Sequence, residues 1–443
     1  MRIIDWLKPG VRVKRWILLG ILGILLIAFG LIEFVQHRLY YFMYIAFYIF
    51  LIAAGSFILY TAVSQGMRSI IILINKGYIN VSLDSRKLEN LIYEKRLLVK
   101  GPKIVVIGGG TGLSTMLRGL KHYTSNITAI VTVADDGGGS GDLREDLGIL
   151  PPGDIRNCIL ALADTEPLME ELLQYRFKDG RLKNQSFGNL FLAAMDGISS
   201  NFEEAVQKMS SVLAVTGKVV PVTLDNIVLK AKLKNGKVIS GESNIPEQAL
   251  EQMSPIEKVF IEPSNARALQ ESVDAIREAD AIILGPGSLY TSVIPNLLIK
   301  DISGALHRTK AIKIYVSNIM TQPGETDGYG VEDHLKAIFK HGGDGTVDYA
   351  VVNVGKIDKE LEVKYKEETS GMVSIDEEKV KSMNVKIIEG DFIKVKNGLI
   401  RHNSDKLADI LIETIMDKKL LADKKKIIEY FYLSERLKEN KNK

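Results

Sequence analysis

The sequence has 443 residues, with 57 basic and 54 acidic side chains, so its formal net charge is only +3. A charge this small gives no electrostatic reason to expect binding of a polyanion, and we predict no nucleic-acid partner. The length allows one large α/β domain together with an appendage. The single cysteine, Cys158, excludes an intrachain disulfide and lies in an apolar stretch, where we expect a buried structural thiol.

Two long apolar runs dominate the first 65 residues. Residues 16–35 contain one charge, Glu33, and residues 40–63 contain none. Each run is long enough, as a helix, to cross the ~30 Å hydrocarbon layer of a bilayer. The segments that flank the two runs carry more basic residues than the short connector between them. This distribution predicts a transmembrane hairpin with both ends in the cytoplasm. Buried core helices are one alternative, and a cleaved signal peptide is disfavoured because a second run follows at once.

Three further segments complete the predicted organisation. Residues 66–101 are expected to be a linker, with a membrane-surface segment as the alternative. Residues 102–416 are expected to form the main α/β domain. Residues 417–443 form a basic tail, for which a frayed solvated end is favoured over contact with anionic lipid headgroups.

A glycine-rich motif opens the main domain. Residues 104–107 predict a short strand, and Gly108–Gly112 follow before a helical stretch. Glycines let the backbone approach a phosphate closely, and the free amides at a helix N-terminus attract negative charge. Leu113 stands where the third glycine of the dinucleotide motif would be, so an NAD-like ligand is disfavoured relative to other nucleotides.

Polar residues also follow three later predicted strands. Asp135 and Asp136 come after residues 127–134, while Gly285–Val293 and Asn318–Tyr329 come after residues 281–284 and 312–316. The carboxyl ends of parallel strands meet in one crevice, so these loops predict a shared site for a nucleotide or phosphorylated ligand. The acidic pair suits Mg²⁺, with a solvated turn as the alternative.

Two more segments contribute candidate groups. In Pro151–Asn157, Asp154 is predicted to cap a helix, while Arg156 and Asn157 project from its first turn towards a phosphate; a surface arginine is the alternative. Asn189 begins another helical run. The complete set of predicted ligand-binding residues is Gly109, Gly110, Thr111, Gly112, Asp135, Asp136, Arg156, Asn157, Asn189, Gly285, Gly287, Ser288, Thr291, Asn318 and Thr321.

These motifs, in this order, resemble the YvcK/CofD-like family, and most closely its bacterial gluconeogenesis-factor branch. The resemblance covers residues 103–415 and rests on Gly108–Ser114, Ala134–Gly141, Pro151–Asn157, Ser186–Asn189, Gly285–Val293 and Asn318–Tyr329. It implies a Rossmann-like three-layer α/β/α sandwich with a mainly parallel sheet. It also implies ligands such as UDP-N-acetylglucosamine or dinucleotides, and a role in gluconeogenic growth, cell shape and envelope synthesis. A related branch transfers a phospholactate group onto a deazaflavin.

Two features depart from the family pattern. Gly139 stands where this branch usually has serine, and many relatives lack the apolar hairpin.

No histidine falls in the glycine-rich motifs, and neither a Ser-His-Asp order nor a P-loop is present, which disfavours hydrolase and ordinary NTPase functions.

The apolar hairpin predicts a membrane anchor facing the cytoplasm, and the resemblance implies a regulator that binds a nucleotide sugar. Its expected partners are envelope-associated proteins and a second copy of the chain. The alternatives are a group transferase assisted by Mg²⁺ at Asp135 and Asp136, and a scaffold that binds no ligand. The glycine motifs do not separate regulator from transferase, because both need the same phosphate site.

Overall fold

The computed structural model describes residues 13–36, 42–75, 98–99, 101–165 and 167–420. The chain divides into two compact units, Met1–Val99 and Lys100–Lys443. The first basic residues, the hairpin connector, most of the predicted linker and the tail from residue 421 lie outside the described residues.

The N-terminal unit contains two apolar helices, α1 (Val13–Gln36) and α2 (Phe42–Asn75), packed against each other. Their backbones meet at two glycines. A Cβ atom on Gly23 would lie 2.9 Å from the carbonyl oxygen of Gly55, and one on Gly55 would lie 2.8 Å from that of Gly23. Large apolar side chains on both helices face away from the helix pair; Phe57, for example, is 68% exposed. Close packing through small residues is typical of helices paired in a membrane.

One segment of this unit, Ala46–Gln65, is long and apolar enough to cross a membrane, whereas the apolar part of α1, Leu18–Phe34, is shorter. This statement covers the described parts of the chain. Helix α2 continues to Asn75, so the apolar residues 70–74 of the predicted linker are helical. Membrane insertion and the orientation of the hairpin stay predictions.

A seven-stranded sheet forms the centre of the second unit. In chain order, the strands of the unit are β1 (Ile104–Gly108), β2 (Ile127–Val131), β3 (Lys218–Pro221), β4 (Val228–Leu233), β5 (Val238–Ser240), β6 (Ile256–Glu262), β7 (Ala281–Leu284), β8 (Ile312–Val316), β9 (Tyr349–Asn353), β10 (Lys386–Gly390), β11 (Ile393–Lys396) and β12 (Leu399–His402). The sheet order is β10-β9-β8-β7-β1-β2-β3, and all neighbouring pairs are parallel. The predicted parallel α/β fold is confirmed.

Helices flank this sheet and bury its strands. Every residue of β1 and β7 is buried, as expected for parallel strands covered on both faces. Cys158 is fully buried, as predicted. The helices are Gly110–Leu120, Gly138–Leu147, Gly153–Leu162, Pro167–Gln174, Phe187–Gly197, Phe202–Val212, Asn244–Glu251, Gln270–Glu278, Ile294–Leu297, Lys300–Arg308, Val331–Gly342, Lys359–Glu367, Glu377–Ser382 and Ser404–Leu420.

Two smaller sheets border the main one. Strands β5, β4 and β6 form an antiparallel sheet, and β11 and β12 form a hairpin. The glycine run after β2 begins a helix, Gly138–Leu147. The last helix continues to Leu420, past the predicted start of the tail at residue 417.

Candidate functional site

A cavity of about 300 Å³ lies at the carboxyl ends of β1, β7 and β8. Three of the predicted polar loops meet there, because parallel strands present their carboxyl ends along one edge of the sheet. The predicted ligand-binding residues in its lining are Gly110, Thr111, Gly112, Gly287, Ser288, Asn318 and Thr321. We call this space the first cavity.

Two glycine-rich turns touch each other in its wall. A Cβ atom on Gly112 would lie 2.6 Å from the carbonyl oxygen of Pro286, and one on Gly287 would lie 3.1 Å from that of Gly109. Side chains at these positions would force the turns apart. The helix Gly110–Leu120 begins at this contact, so its first-turn amides lie at the cavity.

Side-chain hydrogen bonds connect the loops that follow β7 and β8. The Gln322 amide nitrogen donates to the Ser288 hydroxyl at 2.7 Å, and the Asn318 amide nitrogen donates to the Gln322 side-chain oxygen at 3.3 Å. These bonds hold the hydroxyl and amide groups in place before any ligand arrives. The first cavity is therefore a preformed polar site.

Several lining residues were not predicted from the sequence: Tyr365, Glu368, Ser370, Arg401 and His402. Tyr365 is fixed because its hydroxyl accepts a hydrogen bond from the backbone amide of Ile400 at 2.8 Å. Arg401 is exposed, and it forms no ion pair with the described residues. Burial lowers the pKa of His402 to about 4, so this imidazole is neutral near pH 7.

A second cavity, of about 230 Å³, lies beside the tip of β2. It contains four predicted residues, Asp135, Arg156, Asn157 and Asn189. Arg176 and Asp154 also line it, although they were not among the predicted ligand-binding residues. The predicted site is therefore divided between two cavities.

Asp154 connects the two cavities. Its carboxylate lies against the backbone of Gly109 and Gly110, and Gly110 lines the first cavity. Our prediction that Asp154 caps its helix was wrong, since the helix Gly153–Leu162 has Pro152 as N-cap and no side-chain cap. Burial, and then the charge of Asp135, raises the pKa of Asp154 to about 6. Burial likewise raises the pKa of Asp135.

Buried polar atoms border the second cavity. The Arg156 guanidinium donates to the Ser186 hydroxyl at 3.1 Å, and burial lowers its pKa to about 10. Ser186 is the N-cap of the helix Phe187–Gly197, and its hydroxyl also accepts from the backbone amide of Asn189 in the first turn. Within the described residues, Arg156 Nε and Asn189 Oδ1 have no hydrogen-bond partner.

Asp136 lines neither the first nor the second cavity. Its two carboxylate oxygens accept from the backbone amides of Glu242 at 3.0 Å and Ser243 at 2.9 Å. The described residues contain no group of three or more His, Cys, Asp or Glu side chains that could hold a metal. Magnesium at Asp135 and Asp136 stays a prediction. In the structure, Asp154 is the acid that shares a cavity with Asp135.

The remaining predicted residues lie behind the cavity walls. The Thr291 hydroxyl donates to the buried carboxylate of Glu325 at 3.1 Å. Gly285 has a φ of +74°, in the left-handed region that favours glycine. A Cβ atom on Gly109 would lie 2.4 Å from an oxygen of Asp154. These three residues support the loops that form the cavities.

Comparison with known proteins identifies relatives. The protein-family model described as 2-phospho-L-lactate transferase CofD matches residues 104–393. A Clostridium acetobutylicum protein whose name contains the words gluconeogenesis factor is 73% identical over 442 residues, covering 100% of this chain and 98% of its own. The gluconeogenesis factor of Bacillus subtilis is 49% identical over 317 residues, covering 71% of this chain and 99% of its own.

A solved structure agrees with this relationship. The crystal structure of a Bacillus halodurans protein superimposes with a TM-score of 0.68 at 46% identity, covering 70% of this chain and 99% of that one. The family match extends from β1 to the first residue of β11. It includes the whole lining of the second cavity, and that of the first cavity except Ile400, Arg401 and His402. The resemblance predicted from the motifs is confirmed, and the chain belongs to the CofD family, alongside relatives named gluconeogenesis factors.

Proposed function

We propose that the protein is a membrane-anchored regulator of gluconeogenic growth, cell shape and envelope synthesis that binds a nucleotide sugar such as UDP-N-acetylglucosamine. The observation that carries this proposal is the first cavity, where Gly110, Thr111 and Gly112 bring a helix N-terminus to a space lined by hydroxyl and amide groups. Free amides at a helix N-terminus are a common binding site for phosphate groups.

The chemistry of the lining suits each part of such a ligand. The diphosphate carries negative charge, for which the amides of the helix and the guanidinium of Arg401 are complementary. The ring of Tyr365 offers an aromatic surface for a base. Ser288, Asn318 and Gln322 provide donors and acceptors for hydroxyl groups of a sugar.

A group transferase is the second candidate, and the position of Asp154 against the glycine turn after β1 favours it. The acidic second cavity, which contains Asp135 and Asp154, therefore lies next to the first cavity. A donor could then bind in the first cavity while its reacting group lies near Asp135 and Asp154. The family description names a transferase, whereas the names of the relatives favour a regulator.

Calorimetric titration of residues 100–443 with UDP-N-acetylglucosamine tests the binding proposal. We expect saturable binding, and Arg401→Ala should weaken it at least about tenfold through loss of charge-assisted hydrogen bonds. Lys234→Ala is the matched control, because it removes one exposed positive charge from the turn between β4 and β5. Absence of saturable binding, or equal binding in both variants, would reject the proposed site.

Incubation with labelled UDP-N-acetylglucosamine and magnesium separates the two candidates. The regulator hypothesis predicts that the ligand is recovered unchanged. Formation of UDP with transfer of the sugar to water, or to a hydroxyl acceptor added to the incubation, would support the transferase. Asp135→Asn should abolish such a reaction if the second cavity carries it. Unchanged turnover in that variant would place the chemistry elsewhere.

The membrane anchor is a separate part of the proposal. Its support is the apolar, outward-facing helix pair of the N-terminal unit. We expect the full chain in the membrane fraction of cells and residues 100–443 in the supernatant. Protease added outside intact cells should leave both termini uncut, since the proposal places them in the cytoplasm. Cleavage at either terminus would contradict this topology.

A further inference from the structure

A third cavity, of about 320 Å³, lies beside the helix Lys359–Glu367. Its volume falls at the lower end of the range seen for small-molecule sites. Three lysines line it, Lys356, Lys359 and Lys366. None of the residues predicted from the sequence to bind a ligand contributes to it, so this cavity is not explained by the proposed nucleotide site.

The positive charges of this cavity are only partly balanced. Lys366 forms an ion pair with Glu362 at 2.7 Å. Lys356 and Lys359 are exposed and form no ion pair with any residue in the described ranges. Two ammonium groups at one concave surface repel each other, and an anion bound between them would relieve that repulsion. The charge pattern therefore points to an anionic ligand.

Apart from Glu362, Ser370 and Gly371, the rest of the wall is apolar. Met320, Ile357 and Met372 contribute flexible or branched hydrocarbon surface beneath the lysines. A simple inorganic anion would leave this surface exposed to water. A molecule with an anionic group at one end and an apolar body at the other would cover it and gain hydrophobic stabilisation.

Thr321, which lines the first cavity, and Gly371, which lines the third cavity, form a partition between the two. Hydrogen bonds hold this partition in place. The backbone amide of Thr321 donates to the carbonyl oxygen of Gly371 at 2.7 Å, and the amide of Gly371 donates to the Thr321 hydroxyl at 2.9 Å. The hydroxyl of Ser370 donates to the Thr321 carbonyl oxygen at 2.6 Å. These bonds fix the partition, so the third cavity is preformed. It adjoins the nucleotide site, because Met320 and Ser370 line both cavities.

We propose that the third cavity binds a small organic anion, with its carboxylate or phosphate group between Lys356 and Lys359 and its apolar body against Met320 and Met372. This inference does not depend on nucleotide binding in the first cavity. It assigns the protein a second ligand, which lies on the other side of the partition formed by Thr321 and Gly371.

The test uses residues 100–443. These residues form a compact unit, and the Bacillus relatives that align with about 70% of this chain consist of little else. Calorimetric titrations with butyl phosphate, butyrate and inorganic phosphate compare head groups and the contribution of the apolar body. We expect saturable binding of butyl phosphate or butyrate, and binding of inorganic phosphate that is at least about tenfold weaker than that of butyl phosphate.

Two double variants decide whether the cavity is responsible. Lys356→Ala/Lys359→Ala should weaken the binding of the tighter probe about tenfold or more, because the charge-assisted hydrogen bonds are lost. Lys234→Ala/Lys237→Ala removes two exposed lysines from the turn between β4 and β5 and should leave the affinity unchanged. The proposal is overturned if no probe binds saturably, if the first double variant binds normally, or if both double variants lose affinity equally.

Discussion

Gly112 lies against Pro286 so closely that a Cβ atom on the glycine would be 2.6 Å from the proline carbonyl oxygen. This contact joins the turn after β1 to the turn after β7. It sets the distance at which the amides of the helix Gly110–Leu120 and of Gly287 face the first cavity. The proposed diphosphate site therefore depends on the absence of a side chain at residue 112.

Gly112→Ala tests this dependence. The added methyl group would force the two turns apart, and we expect a loss of about 1–3 kcal/mol in the free energy of unfolding. Binding of UDP-N-acetylglucosamine should weaken at least about tenfold. Gly197→Ala is the control, because a Cβ atom there meets nothing within 4 Å. Similar stability and affinity in the two variants would show that the contact is unimportant.

Asp136→Asn tests whether Asp136 anchors the structure or holds a metal. An asparagine would direct its NH₂ group at one of the two backbone amides, those of Glu242 and Ser243, which now donate to the carboxylate. We expect the free energy of unfolding in urea with EDTA to fall by about 1–3 kcal/mol.

The effect of magnesium separates the two roles of Asp136. A structural anchor is destabilised by the substitution whether or not magnesium is present. If the variant instead matched the unsubstituted protein in EDTA and differed only when magnesium was added, the anchoring role would be refuted and the metal prediction supported.

Glu325 gives the domain a predicted dependence of stability on pH. Its carboxylate accepts from the backbone amide of Tyr290 at 3.2 Å and from Thr291, but burial dominates and raises its pKa from 4.5 to about 7. Between these pH values the folded protein retains a proton that the unfolded chain has released. The contribution of Glu325 to stability is therefore complete below pH 4.5 and is lost as the pH rises towards 7.

Glu325→Gln removes this titration while keeping the shape of the protonated acid. As the pH rises from 4.5 to about 7, the contribution of Glu325 to the free energy of unfolding should fall by about 3 kcal/mol. This value follows from about 1.4 kcal/mol per unit of pKa shift. Urea unfolding of the unsubstituted protein and of Glu325→Gln at pH 5 and pH 8 measures this fall. The effects of all other titrating groups cancel when the two proteins are compared. Parallel pH profiles would contradict a raised pKa for Glu325.

The N-terminal unit provides a matched pair of glycines. Gly23→Ala would place a methyl group 2.9 Å from the carbonyl oxygen of Gly55, whereas at Gly20 the nearest atom would be the Ala62 Cβ at 3.7 Å. We expect the first variant to separate α1 from α2 and the second to be tolerated. Hydrogen exchange of residues 46–65 in detergent micelles should accelerate only in Gly23→Ala. Equal exchange in both variants would contradict the packing of the hairpin.

Much of the fold could be predicted because the strands of the parallel sheet are short apolar runs. β1 and β7 are buried throughout, and each is followed by glycines where the chain turns into the site. Since parallel strands end at one edge, the meeting of Gly110, Gly287 and Asn318 followed from the sheet alone.

Other parts of the site could not be predicted from local patterns. Tyr365 lies in a helix without buried residues, and Arg401 and His402 lie in a short hairpin. Only tertiary packing brings them to the first cavity. Asp135 and Asp136 are adjacent in sequence, but adjacency does not fix side-chain direction, and the structure directs them to different partners.

A crystal structure of residues 100–443 with UDP-N-acetylglucosamine tests the central claim most directly. The account predicts that the diphosphate lies within hydrogen-bonding distance of the amides of Thr111 and Gly112 and that Arg401 contacts the ligand. A nucleotide bound entirely in the second cavity, or a first cavity that stays empty at saturating ligand, would contradict it.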